Sequence, residues 1–403
     1  MSKRTQRELF ILLLSVFVST IGLGIMNPLV PQLFSGTHAL FPGLGYGIYG
    51  LLIAVFPFTQ FCSSFVLAAA SDRYGRKRLL MLSLAGTAAG YGLIIIALVL
   101  KNLPLLFVAR AVDGFTGGNM AITQAAVADI TPANDRRSRL GLVNGAFGLG
   151  LVVGPVLGGT FASSFSLASP FFIAALVASI NTFLIWRYLP ELPASTAAVT
   201  IFRELPVTLW RYISTPRVRH LLSASFLYYC GLTCFNAFFA VFLVERFGFD
   251  AEHIGFFYGY VGILYAFNQF VIVPRVNKRL PPRIILLVGV TSLACLMLVY
   301  ASTFFVPALF VIALAYTFAN GTNQANMLGL ISTSTDAGEQ GRVLGLNNSL
   351  FSLAQTILPP LIGATAAGLS AGLPIGIAAL FMALSALVLA TQVFTKVAKP
   401  LPR

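Results

Sequence analysis

Long apolar runs separated by short polar gaps recur along the whole chain. A hydrocarbon layer about 30 Å thick is crossed by about 20 apolar helical residues, so each run predicts a membrane helix. In the first half the predicted helices cover 9–34, 46–70, 79–100, 103–128, 138–162 and 168–189. In the second they cover 218–245, 253–274, 283–302, 305–332, 342–366 and 373–395, which makes twelve in all. Pro28, Pro57, Pro155, Pro359 and Pro360 fall inside runs and predict kinks. The one long polar connection, 190–217, carries Pro190, Pro193 and Pro206, and its stretch FRELPVTLWRYI suits the membrane surface. The expected plan is an all-α integral membrane protein: a six-helix bundle over 1–189, a cytoplasmic linker over 190–217, and a second six-helix bundle over 218–403.

The two halves repeat. LGLVNGAFGLGLVVGPVLGG from Leu140 and LGLNNSLFSLAQTILPPLIG from Leu344 share Leu, Gly, Asn, Phe and Pro positions at an offset of 204 residues. The same offset pairs Gly117 with Gly321, Asn119 with Asn323 and Asp135 with Glu339. Duplicated halves suit a transporter whose binding site lies between them near the bilayer midplane.

Composition narrows the class. Hydrophobic residues make up 57% of 403 and charged residues 9%, against about 25% charged in soluble domains; mean hydropathy is +0.87. The net charge of +14 would suit nucleic acid, but the basic residues sit in the gaps between apolar runs. With the N-terminus inside, 23 of the 26 Lys and Arg fall on cytoplasmic segments, which places both termini in the cytoplasm by the positive-inside rule. The first run lacks a small-residue cleavage site and is expected to remain a membrane helix. Cys62, Cys230, Cys234 and Cys295 lie inside runs without histidine neighbours, and read as packing residues rather than a metal site or disulfide framework.

Acids are almost absent from the spans. Asp113 alone lies well inside one, three residues after Arg110 on the same helical face. An embedded ionisable pair is expensive and is usually functional. Asp113 either binds and releases a proton while Arg110 senses its charge, or the two form a structural ion pair.

Several motifs resemble the major facilitator superfamily. The stretch AAASDRYGRKRLL resembles that family's loop between helices 2 and 3: Asp72, Arg73, Gly75, Arg76 and Lys77 match, and Ala68 replaces the usual first glycine. Its counterpart PRVNKRLPPR keeps the bases but lacks the acid and glycine. VARAVDGFTGG resembles the helix-4 arginine motif. GAFGLGLVVGPVLGG, with Gly150, Gly154, Pro155 and Gly158, resembles the helix-5 motif of antiporters. Together with GLGIMNPLVPQL in helix 1, these are most similar to the tetracycline-exporter branch, except that Ser19 and Gly90 stand where that branch carries acids. The resemblance implies the twelve-helix, two-bundle major facilitator fold and a cytoplasmic gate. In that gate Asp72 reaches the N-terminus of helix 11 around Gly341 to Leu344, and Arg73 bridges to Asp129. The alternative for this loop is purely topogenic charge. The helix-5 glycines either let that helix bend and approach helix 8 or are ordinary membrane packing.

Neutral polar and aromatic residues are the candidates for a substrate cavity: Asn27, Gln32, Asn119, Asn144, Tyr229, Asn236, Tyr265, Asn268, Asn323 and Asn347, with interhelical hydrogen bonding as the alternative for each. A polar but nearly uncharged cavity suits a small amphipathic solute. The reading is therefore a monomeric secondary transporter in a bacterial inner membrane, surrounded by lipid, exporting such a solute by alternating access and proton antiport. The alternative is a specific carrier for a metabolite or siderophore, without proton coupling. A sensor or scaffold would need a soluble domain that the short tails do not hold. No nucleophile–base pair, metal cluster or nucleotide-binding loop is present in the sequence. An enzyme, an ATP-driven pump, a metal site and a cofactor are not expected, nor is nucleic acid as a partner.

Overall fold

In lipid every backbone polar group must be satisfied within the chain, which leaves helices as the economical solution for apolar runs. The computed structural model describes residues 3–34, 39–131, 135–191, 216–332, 334 and 340–397, and no strand occurs among them. The first-half helices are α1 (Lys3–Phe34), α2 (Tyr46–Tyr74), α3 (Arg76–Val99), α4 (Leu103–Thr116), α5 (Asn119–Ile130), α6 (Arg136–Ser164) and α7 (Ser169–Tyr188). The second-half helices are α8 (Pro216–Phe247), α9 (Ala251–Phe267), α10 (Val273–Arg279), α11 (Pro282–Ser302), α12 (Val306–Ser332), α13 (Gln340–Ile362) and α14 (Leu373–Val397). Eleven helical stretches among the described residues are long and apolar enough to cross a membrane.

The fourth predicted span is not one such helix. It forms α4 and α5, of 14 and 12 residues, interrupted at Gly117 and Gly118. Two adjacent glycines weaken a helix by their conformational freedom, and the local bonds show the interruption. The Gly117 N–H donates to the Gly114 carbonyl at 3.1 Å, and Gln60 Nε2 donates to the Gly117 carbonyl at 3.0 Å. The eighth span departs differently. Its helix widens into a π turn at Asn268–Ile272, just before Pro274, and continues as α10 to Arg279. Pro274 lacks the N–H that would carry the α ladder through this point. The expected polar gap after this span shrinks to Leu280 and Pro281. Most of the expected linker, residues 192–215, lies outside the described residues.

The chain divides into two units, and each takes a short segment from the opposite half of the sequence. The first comprises Met1–Leu44, Leu51–Val199 and Gly248–Gly262. Within it α1 lies along α6 through glycine. A Cβ on Gly154 would come 2.8 Å from the Gly24 Cα, one on Gly150 would meet Thr20 and the Phe17 carbonyl, and one on Gly158 would meet Ile25. Gly150, Gly154 and Gly158 therefore face α1. Gly159 makes the approach to α9, where a Cβ would lie 2.3 Å from the Ala251 carbonyl. Small residues that let backbones touch are the usual device for helix association in lipid.

The second unit comprises Gly45–Gly50, Thr200–Phe247 and Ile263–Arg403. Its buried aromatic core stacks Phe235 on Phe239 and Tyr316 at 4.6 and 4.7 Å between centroids, with Tyr300 edge-on to Phe239 at 5.0 Å. The α2 segment in this unit is held tightly. Gly50 leaves no room for a Cβ against the Pro359 carbonyl, Tyr49 Oη donates to the Ala237 carbonyl at 2.6 Å, and Tyr46 Oη donates to Glu245.

Candidate functional site

The site grows from α4. Asn102 caps its first turn, accepting from the Leu105 N–H at 3.0 Å, with Pro104 beginning the helix. Two turns on, Arg110 and Asp113 share the face turned toward α2 and α3. Arg110 Nη1 donates to Asp113 Oδ2 at 3.2 Å, with both side chains less than a tenth exposed. The Arg110 guanidinium also lies over the Phe56 ring, 4.7 Å from its centroid, a second favourable setting for a buried cation. The pair sits one turn before the break at Gly117.

Backbone closeness makes the pocket. A Cβ on Gly90 of α3 would approach the Asp113 Cβ to 3.0 Å, and one on Gly114 would collide with Thr59 and the Phe56 carbonyl. Beside Asp113 is a cavity of about 40 Å³ lined by Val16, Ser19, Thr20 and Leu23 of α1, Phe56 and Gln60 of α2, and Thr87 of α3. Gly117, Met120 of α5 and Phe147 of α6 complete the lining. Ligand pockets for drug-sized molecules run to about 300–1,000 Å³, whereas a water needs only about 10–15 Å³. The cavity fits water and protons, not an amphipathic solute. Ser19 and Gly90, the two positions lacking the acids of the resembled branch, both border it or touch Asp113.

The basic loop is organised differently from expectation. Gly75 joins α2 to α3 at φ 95°, in the left-handed region that favours glycine. The turn leaves Arg73 exposed, with its guanidinium 5.3 Å from the Tyr74 ring centroid. Arg76, at the start of α3, reaches Asp129 of α5 and also donates to Ser71 Oγ at 3.3 Å. The partner of Asp129 is thus Arg76 rather than Arg73, because Gly75 resets the helical phase between them. Arg78 lies 3.9 Å from Glu191, both exposed. The side chains of Asp72 and Arg342, at the gate positions, lie outside the described residues, as do those of Asn119 and Asn144.

The remaining cavity candidates separate into groups. Asn27 and Asn236 are exposed. Gln32 donates to the Phe249 carbonyl at 3.1 Å. In the second unit Asn347, fully buried, donates to Tyr229 Oη at 2.8 Å and accepts from Ser225 at 2.6 Å. Tyr265 donates to Gln324 at 2.6 Å. Asn268 donates to the carbonyls of Thr317 and Phe318 at 3.1 and 3.2 Å, which binds the π turn after α9 to α12. Asn323 is fully buried against Gly289, and its amide atoms find no partner among the described residues. Gln60, Phe56, Thr87, Ser225 and Gln324 belong to these groups without having stood out in the sequence. Only the isolated amide of Gln60 in an apolar run was a usable signal.

Comparison with known proteins follows this geometry. The chain is 28% identical over 379 residues to the tetracycline resistance protein, class H, of Pasteurella multocida, covering 88% of this chain and 87% of that one. It is 27% identical to multidrug resistance protein 1 of Bacillus subtilis, covering 88% of each. Among solved structures, a D-xylose–proton symporter superposes with a TM-score of 0.78 at 15% identity, over 96% of this chain and 97% of the symporter. The sequence profile of the Major Facilitator Superfamily matches residues 12–359. A helical membrane chain, matched by that profile over most of its length, belongs to the major facilitator superfamily of membrane transporters.

Proposed function

We propose that this transporter exports a small amphipathic solute in exchange for protons, with Asp113 as the proton carrier and Arg110 as the charge that responds to it. The buried Arg110–Asp113 pair beside a water-sized cavity carries this reading. In the charged state the pair is neutral overall and tolerable in a low-dielectric interior. Protonating Asp113 leaves Arg110 with the Phe56 ring and an uncompensated charge, so loading a proton changes the energy of the whole bundle. The names of the resistance-protein relatives support a drug-like solute, and the tyrosine–amide groups around Tyr229, Asn347 and Tyr265 are the place proposed for it. The positive-inside pattern supports cytoplasmic termini in an inner membrane.

The test is proton flux in proteoliposomes, read with a trapped pH dye, when tetracycline or another fluorescent amphipathic probe is applied. Wild type should couple probe movement to proton movement. Asp113→Asn should lose the coupled flux by at least tenfold while remaining monodisperse and folded. Coupled flux persisting in Asp113→Asn removes the carrier role and leaves the pair a structural one.

A further inference from the structure

Resting on the reading of Asp113 as proton carrier, we infer that the cavity beside it is a water-binding site and that Thr87 positions the water against the carboxyl group. Threonine inside a helix ordinarily turns its hydroxyl to the carbonyl four residues back. Thr20 on the same cavity wall does so to Val16 at 2.7 Å, and Thr116 one turn from Asp113 does so to Val112 at 2.9 Å. Thr87 does not. It is 1% exposed, and its Oγ1 has no hydrogen-bond partner among the described residues. The same side chain lines the cavity that Asp113, Gln60 and Gly117 also line.

A buried hydroxyl without a partner is costly, and a cavity of about 40 Å³ whose largely apolar lining includes Asp113, Gln60, Ser19 and Thr87 has the room and the polar partners that a buried water requires. The water is also what the chemistry needs. Among the described residues the ionisable groups near Asp113 are Arg110, on its own helix, and Tyr91, from α3; the cavity walls of α1 and α2 present the neutral Ser19, Thr20 and Gln60. A guanidinium cannot take a proton from a carboxylic acid. With water in place, the Asp113 O–H bond breaks, its proton passes to the water oxygen, and carboxylate and hydronium result. Loading is the reverse. Thr87 is a positioning residue in this scheme: it fixes the water and exchanges no proton of its own.

The experiment is infrared difference spectroscopy between low and high pH on protein reconstituted in lipid, with no solute added. Wild type should show a protonated-carboxyl C=O band that Asp113→Asn removes, together with a water O–H band that shifts when H₂¹⁸O replaces water. Thr87→Val, which keeps the shape and deletes the hydroxyl, should lose the water band and move the C=O band. Thr87→Ser should keep both. A wild-type spectrum with the Asp113 band but no ¹⁸O-sensitive water band overturns the inference without recourse to any variant. So does a folded Thr87→Val that keeps both bands unmoved, and in either case Asp113 still stands as carrier. A wild-type spectrum with no C=O band that Asp113→Asn removes overturns both.

Discussion

Arg110 and Asp113 are each other's reason for being tolerated where they are. Removing one partner of a buried pair strands the other, at a cost of about 3–5 kcal/mol. Arg110→Leu should therefore destabilise strongly in thermal unfolding in detergent, and Arg110→Leu with Asp113→Leu should regain most of the loss. A double variant no more stable than the single one would show that the pair is not the main electrostatic demand at this site. Gly90→Ala puts a methyl 3.0 Å from the Asp113 Cβ, and backbone on both sides resists movement. It should lower stability by about 1–3 kcal/mol and displace the C=O band of Asp113. The three-residue spacing made the pair readable from sequence. The Arg76–Asp129 pair was not readable, since four bases lie within six positions and only the φ of Gly75 decides which one faces α5. Thr87 was equally hidden: a threonine in an apolar run looks the same whether it bonds its own helix or faces a cavity.

The elements are set by short local devices. Gly75 at φ 95° admits a side chain only with strain, and left-handed geometry costs a residue with a Cβ about 1–2 kcal/mol. Gly75→Ala should lose about that much and loosen the Arg76–Asp129 contact, visible as faster hydrogen exchange at the start of α3. In the second half of the sequence Asp250 caps α9, accepting from the His253 N–H at 2.9 Å and sitting 2.7 Å from its ring Nδ1. Partial burial pushes the Asp250 carboxyl up, but the N–H and ring of His253 outweigh it and hold the group below its ordinary value. A lowered carboxyl stabilises the fold above its ordinary value, near 3.9, and that contribution is lost as pH falls through the lowered one. The protection of amides in the first turn of α9, taken as the exchange rate relative to the intrinsic rate at the same pH, should therefore be full at neutral pH and fall only in strong acid. Asp250→Asn, unable to ionise, should remove most of that pH dependence. Hydropathy located nearly every helix but missed the division of α4 from α5, because two glycines in an apolar run break a helix only when a neighbour such as Gln60 satisfies the interrupted carbonyl.

Across the whole chain the chemistry is unevenly distributed. The offset that pairs Gly117 with Gly321 sets Asp113 against Thr317 and Arg110 against Leu314, so the embedded pair belongs to the first unit alone. The second unit carries buried tyrosines and amides. Tyr229→Phe or Asn347→Leu should therefore raise the KM for an amphipathic probe several-fold and leave the solute-free infrared signal of Asp113 in place. A change in that signal would mean that the two functions are not divided between the units. The repeat was legible because helix-packing residues kept their register, whereas the exchange of short segments between units was not, since it depends on contacts far apart in sequence. That register also bears on the glutamine contact at Gly117. Its counterpart exists, for Gln269 Nε2 donates to the Gly321 carbonyl at 3.3 Å. Yet the shared offset sets Gln60 opposite Leu264 and Gln269 opposite Phe65. The glycines share one register position in the two halves, and the glutamines do not. In the first unit the braced carbonyl marks the break between α4 and α5, whereas α12 runs unbroken through Gly321; each glycine carbonyl meets an amide from a different position of the neighbouring helix.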